Sequence, residues 1–149
     1  MSENNFIPTQ QELDENLKYE IDMLKNTCCA WTNKKNNLNQ FGINCLVESL
    51  ALHARVLIFF FYGNKKKYPD DIIAQDFLSE NIKWAEIRPE MSDFLKEVKF
   101  KADKQLAHLC LGRIQLSRED RHGWNFQKVY QELNEIIELF YRTLEESKK

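Results

Sequence analysis

Apolar residues recur along this chain at helical spacing in four long stretches separated by polar segments. In the first, Leu13, Leu17, Ile21, Leu24, Cys28 and Trp31 follow one another at intervals of 4, 4, 3, 4 and 3. That is one buried face of an amphipathic helix of about 22 residues. Thr9, with Glu12 three positions on, makes a capping box at its start, and the polar run Thr32–Asn37 ends it. The second stretch extends from near Leu38 to Tyr62 and is apolar on almost every side, so it belongs in the middle of a bundle. Gly63 is placed to take the left-handed turn that closes a helix. A basic loop, NKKKYP, follows, and Pro69, Asp70 and Asp71 open a short helix through DIIAQDFL. Trp84 lies in the next connection. Pro89 suits the first turn of a third long helix, whose stripe is Met91, Leu95, Val98, Ala102, Leu106 and Leu109, fading near Ser117. After the polar turn SREDRHGW, a last helix spans about Asn125 to Glu146, with Val129, Leu133, Ile136, Phe140 and Leu144 on one face.

The sequence carries no strand pattern, glycine-rich phosphate loop or internal repeat. The expected fold is therefore all-α: one domain over residues 1–149, with 1–8 a loose leader, built as an up-and-down bundle of four long helices plus one short helix. A chain of 149 residues can bury about 68–70% of its unfolded surface and needs no metal or disulfide to hold its core. Net charge is −2, so no global basic field points to nucleic acid, although a local patch is compatible with it. Cys28, Cys29, Cys45 and Cys110 contain no CxxC pair; they are expected to be reduced core thiols, with no metal and no cofactor. The polar N-terminus is no signal peptide. The run Leu46–Tyr62 contains Glu48, His53 and Arg55, each costly in lipid, so a cytoplasmic chain with no membrane partner is expected.

Candidate chemistry is sparse. Glu48 and Arg55 stand seven residues apart, hence about 20° apart around the helix and roughly 10 Å along it, and each should seek a partner on a neighbouring helix. They form either a buried ion network that fixes helix register or the wall of a polar cleft. His53 points elsewhere and reads as a hydrogen-bonded core residue. The run Phe59–Tyr62 reads as core, and Lys65, Lys66 and Lys67 with Tyr68 as a solvated loop that could also touch RNA phosphates. In KFKADKQLAHLCLGR, Lys104 and His108 share a face, and a histidine there can shuttle a proton near neutral pH.

The segment Asp103-Lys104-Gln105-Leu106-Ala107-His108 resembles the signature of HEPN domains, Arg-Asn-x-x-Ala-His, matching it at Ala107 and His108. Helix order and chain length are similar to a HEPN bundle over most of the chain, and Glu48 stands where an acidic residue is common. The resemblance implies a dimer whose cleft joins histidine and arginine from two protomers and cleaves RNA without a metal. His108 then serves as acid or base, with Lys104, Arg55 and Glu48 as further candidates. Lys65, Lys66, Lys67, Lys101 and Arg113 are the expected RNA contacts. Asp103 takes the arginine's place, and a carboxylate there repels phosphate. The expectation is a toxin- or defence-type protein, a homodimer, that binds or cleaves RNA with nuclease activity absent or altered. A partner or antitoxin protein goes with it. The contrasting expectation is a non-enzymatic interaction or dimerisation module in which Glu48, Arg55 and His108 are structural.

Overall fold

The computed structural model describes residues 8–63, 70–106, 111, 114 and 123–149. Among these the regular structure is helical, with no strand. Helix α1 spans Gln10–Lys34, α2 Gln40–Tyr62, α3 Trp84–Ile87, α4 Asp93–Leu106 and α5 Phe126–Ser147, with 3₁₀ turns at Lys35–Asn37 and Ala74–Phe77. The expected all-α class is found.

Local chemistry accounts for most helix starts. At α1, the Glu12 amide donates to Thr9 Oγ1 and the Thr9 amide donates to Glu12 Oε2 at 2.8 Å, which is the capping box. Asn39 and Asn125 cap α2 and α5 by accepting the Gly42 and Lys128 amides. Helix α4 begins later than Pro89 suggests. Ser92 accepts the Leu95 amide through its hydroxyl and supplies the first helical carbonyl to Lys96, leaving Pro89 outside.

Pairings down the helices fix their directions. Thr27 meets Ser49, and Glu20 meets His53, so α1 and α2 are antiparallel. Trp31 stacks on Phe126 at a 4.2 Å centroid separation, placing the end of α1 at the start of α5. Phe60 and Phe61 meet Phe140, so α2 and α5 run the same way. Helix α2 packs chiefly between α1 and α4. Of the expected stripes, Leu17, Leu24 and Cys28 on α1, Leu95, Val98 and Ala102 on α4 and all five α5 positions are buried. Leu13, Ile21, Trp31 and Met91 are half-buried, and the Leu106 side chain and Leu109 lie outside the described residues.

The core centres on Phe140. Its ring lies edge-on to Phe60, Phe61, Trp84 and Phe77 at centroid distances of 5.5, 5.6, 5.5 and 5.9 Å. Edge-to-face contact sets the positive rim of one ring against the negative face of the next. Of the aromatic run at the end of α2, Phe60 and Phe61 are thus core, Tyr62 packs partly buried against them and Phe59 is half-buried.

Several sequence expectations need correction. Gly63 is extended, at φ −67°, so it closes α2 without a left-handed turn. Its lack of a side chain matters for space: a Cβ there would lie 2.7 Å from the Phe59 carbonyl oxygen and 3.0 Å from Ile73 Cγ2. The short helix expected through DIIAQDFL is a single 3₁₀ turn, held where Asp76 accepts the Ile73 amide. Trp84 is a core residue, its indole N–H donating to the Phe61 carbonyl at 2.8 Å. Of the thiols, Cys28 is buried, whereas Cys29 and Cys45 are exposed and Cys110 lies outside the described residues.

Helix α2 is 23 residues long with a mean hydropathy of 1.6 over its most apolar window, enough by length and composition to cross a membrane. In the bundle 44% of that window is buried. Its sides pack on three helices, and its outer face keeps Phe41, Leu52 and Val56 exposed.

The cysteines give a direct check of this packing. Burial pushes the Cys28 thiol up to about 12, with the neighbouring Cys29 adding to the effect, and its S–H donates to the Phe126 carbonyl at 3.5 Å. Only thiolate is nucleophilic. Iodoacetamide on the native protein at pH 8, read by peptide mass spectrometry, is expected to label Cys29 and Cys45 and spare Cys28 until the chain unfolds. An acid whose folded value is raised contributes stability below its unfolded value and loses it as pH rises. The fold should therefore weaken above pH 9, an effect diminished in Cys28→Ala.

Candidate functional site

The chemistry-bearing residues gather along the edge where α2 meets α4. Arg55, on α2, donates its Nε–H to Asp103 Oδ1 on α4 at 2.5 Å. Lys99, one turn earlier on α4, donates to the other oxygen, Asp103 Oδ2, at 3.2 Å. The carboxylate is therefore shared by two cations, and all three side chains reach solvent. Lys104 is exposed beside Asp103, with its ammonium 6.0 Å from the centre of the Phe100 ring. Phe100 is 54% exposed, unusual for a ring of that size. Close packing of α2 on α4 brings the two helices within ion-pair reach, and Ala51, Ala54 and Ala102 are buried small residues on these two elements.

Asp103 thus has a role that sequence reasoning missed. It pairs with Arg55, one of the cations that sequence reading offered for the cleft, at the surface of the bundle. The (i, i+4) spacing from Lys99 is legible in the sequence. The Arg55 pairing crosses 48 residues and has no local signal.

Other candidates lie elsewhere. Glu48 is exposed on α2, and no ion pair joins it among the described residues. With Arg55 also at the surface, the pair does not form the buried network that was one expectation. Lys101 is mostly buried, its ammonium 3.4 Å from the Gly123 carbonyl and 3.5 Å from Glu97. It lines a cavity of about 210 Å³ together with Phe94, Val98 and Trp124. Its ammonium therefore faces protein, a placement that departs from an RNA contact. His108, Arg113, Lys65, Lys66 and Lys67 lie outside the described residues. Among the described residues no group of three His, Cys, Asp or Glu side chains could hold a metal ion.

His53 meets its core expectation. It is 5% exposed, and its Nδ1 lies 2.6 Å from Glu20 Oε2. A carboxylate can only accept, so Nδ1 carries the hydrogen. Tyr19 packs edge-on against the ring at 5.9 Å. The pair ties α1 to α2. Comparison with family models, with curated proteins and with solved structures finds no match to this chain.

Proposed function

We propose that this chain is a HEPN-like, cytoplasmic helical protein that binds single-stranded RNA along the α2–α4 edge and does not cleave it. The observation that carries the reading is the composition of that edge. Arg55 and Lys99 pair with the one carboxylate of Asp103, and Lys104 follows it in sequence and is exposed, so cations outnumber the acid. Phe100 stands exposed near the Lys104 ammonium. Cations held along a groove engage phosphates, and an exposed ring gives a base a face to stack on. The absence of cleavage follows from Asp103. Phosphoryl transfer needs a cation to meet the charge that builds on the phosphate, and Asp103 sets a carboxylate where the resembled signature has an arginine.

Fluorescence anisotropy with a labelled single-stranded RNA tests the reading. Lys99→Glu/Lys104→Glu should weaken binding at least about tenfold and lower the salt slope by about 1–2, since each phosphate left without its cation takes roughly 0.7 off the slope. In EDTA the wild type should leave the RNA intact. Cleavage by the wild type that disappears in a folded His108→Ala would convert the reading to a metal-independent ribonuclease. Equal affinity of both proteins would move RNA off this edge, and no binding by the wild type would remove RNA from the reading altogether.

A second reading, a module that acts by associating with another protein chain, is favoured by the exposed apolar residues on the outer face of α2.

A further inference from the structure

The outer face of α2 is unusual in both its apolarity and its symmetry. Phe41, Leu52 and Val56 are 76%, 49% and 38% exposed, and Cys45, Glu48 and Arg55 share their face. At 100° per residue these six positions fall within about 100° of arc, one continuous stripe between the sides taken by α1 and α4. A bundle helix ordinarily turns a charged face outward. Here the outward stripe is apolar at its centre and carries one acid and one base.

The two charges are placed almost evenly about Leu52. Glu48 precedes it by four residues and Arg55 follows it by three. If a second α2 lies antiparallel across this stripe with its twofold axis near Leu52, Glu48 of each copy faces Arg55 of the other. Leu52 then meets its own copy, and Cys45 faces the region of Phe59. An isologous contact requires this self-complementarity, in which residue i meets j and j meets i. A parallel pairing fails the test, because it sets acid on acid and base on base. Asp103 takes the Nε–H of Arg55, and the guanidinium has five N–H donors, so Asp103 does not exhaust it. We infer that the outer face of α2 is the docking surface for a second copy of this chain, in antiparallel register centred on Leu52. This rests on, and sharpens, the association reading above.

Sedimentation equilibrium of the full chain from about 1 to 100 μM, with circular dichroism as a check of folding, tests the inference. The wild type is expected to dimerise. Leu52→Asp should raise the dimer dissociation constant about a hundredfold or more, because one substitution counts twice in a symmetric contact. Glu48→Lys should weaken the dimer by setting cation against cation. The register has its own readout, which also serves if Leu52→Asp fails to fold. In a Cys29→Ser/Cys45→Ser background, Leu52→Cys should form a disulfide-linked dimer with oxidised glutathione. Native Cys45 should not link to its copy, because this register holds the two roughly 20 Å apart. A wild type that stays monomeric at 100 μM would overturn the association reading itself. A dimer indifferent to Leu52→Asp, or one cross-linked through Cys45 and not through Leu52→Cys, would overturn this surface and leave association standing. Sedimentation of a monomeric wild type with anionic phospholipid vesicles, abolished by Leu52→Asp, would assign the face to a lipid surface.

Discussion

Phe140→Ala is expected to destabilise the fold by about 3–5 kcal/mol, the largest loss from any single side chain of the bundle. Phe140 is fully buried on α5, and four aromatic rings from α2, the 3₁₀ turn and α3 converge on it. Truncation removes the burial of the ring and leaves a hole walled by rigid groups that cannot close it. Aromatic neighbours make the site less forgiving than an aliphatic one, because their planes are set by edge contacts with each other. For a domain of this size the melting temperature should fall by roughly 6–20 °C. Phe140→Leu retains most of the volume and should cost clearly less. Urea denaturation of the three proteins checks the order. A loss under about 1 kcal/mol for the alanine variant would mean that the ring is not the hub of the core.

Trp84→Ala should be nearly as damaging, again about 3–5 kcal/mol. Trp84 lies in α3, a helix of only four residues whose hold on the bundle depends on its side chains. The indole is buried against Phe61 and Phe140 and donates its N–H to the Phe61 carbonyl. That carbonyl lies in the last turn of α2, where the helix itself offers no amide to pair it. Trp84→Phe retains most of the apolar contact and removes the donor, so it isolates the polar part. Its expected cost is about 1–3 kcal/mol, the range for leaving a buried acceptor unsatisfied. Because the Trp84 and Phe140 rings touch, the alanine pair should be less destabilising than the sum of the singles, by roughly 0.5–1.5 kcal/mol. Strict additivity in denaturant titrations would show that the two rings do not share one packing unit.

The two stability experiments and the two functional ones address separate parts of the molecule. Phe140 and Trp84 lie in the interior. Lys99 and Lys104 lie on the outer edge of α4, and Leu52 on the outer face of α2, so their variants should leave the core intact. RNA affinity that falls with the two lysines while dimerisation persists, or the reverse, assigns a task to each surface independently.

Helix content was legible in the sequence because amphipathic periodicity is a local property. The spacing of Leu13 through Trp31 and of Val129 through Leu144 marks their buried faces, and Thr9 with Glu12 marks a start within four residues. Expectations failed where the deciding contact was distant or depended on how tightly elements close. Trp84 reads as a loop residue until α2 supplies a carbonyl for it. Gly63 reads as a left-handed cap until Ile73 and the Phe59 carbonyl leave no room for a Cβ. Pro89 reads as a helix start until Ser92 takes the cap. Glu48, on a helix that reads as buried all round, proves to face outward, because α1, α4 and α5 leave one side of α2 uncovered.

The sequence by itself therefore determined that this chain is helical and which faces of α1, α4 and α5 turn inward, since period and capping act over a few residues. Only the tertiary structure decided that Asp103 binds Arg55, that His53 binds Glu20, and that α2 keeps an apolar stripe at the surface. Each of these depends on which helices become neighbours, and that choice is made by the summed packing of the whole chain.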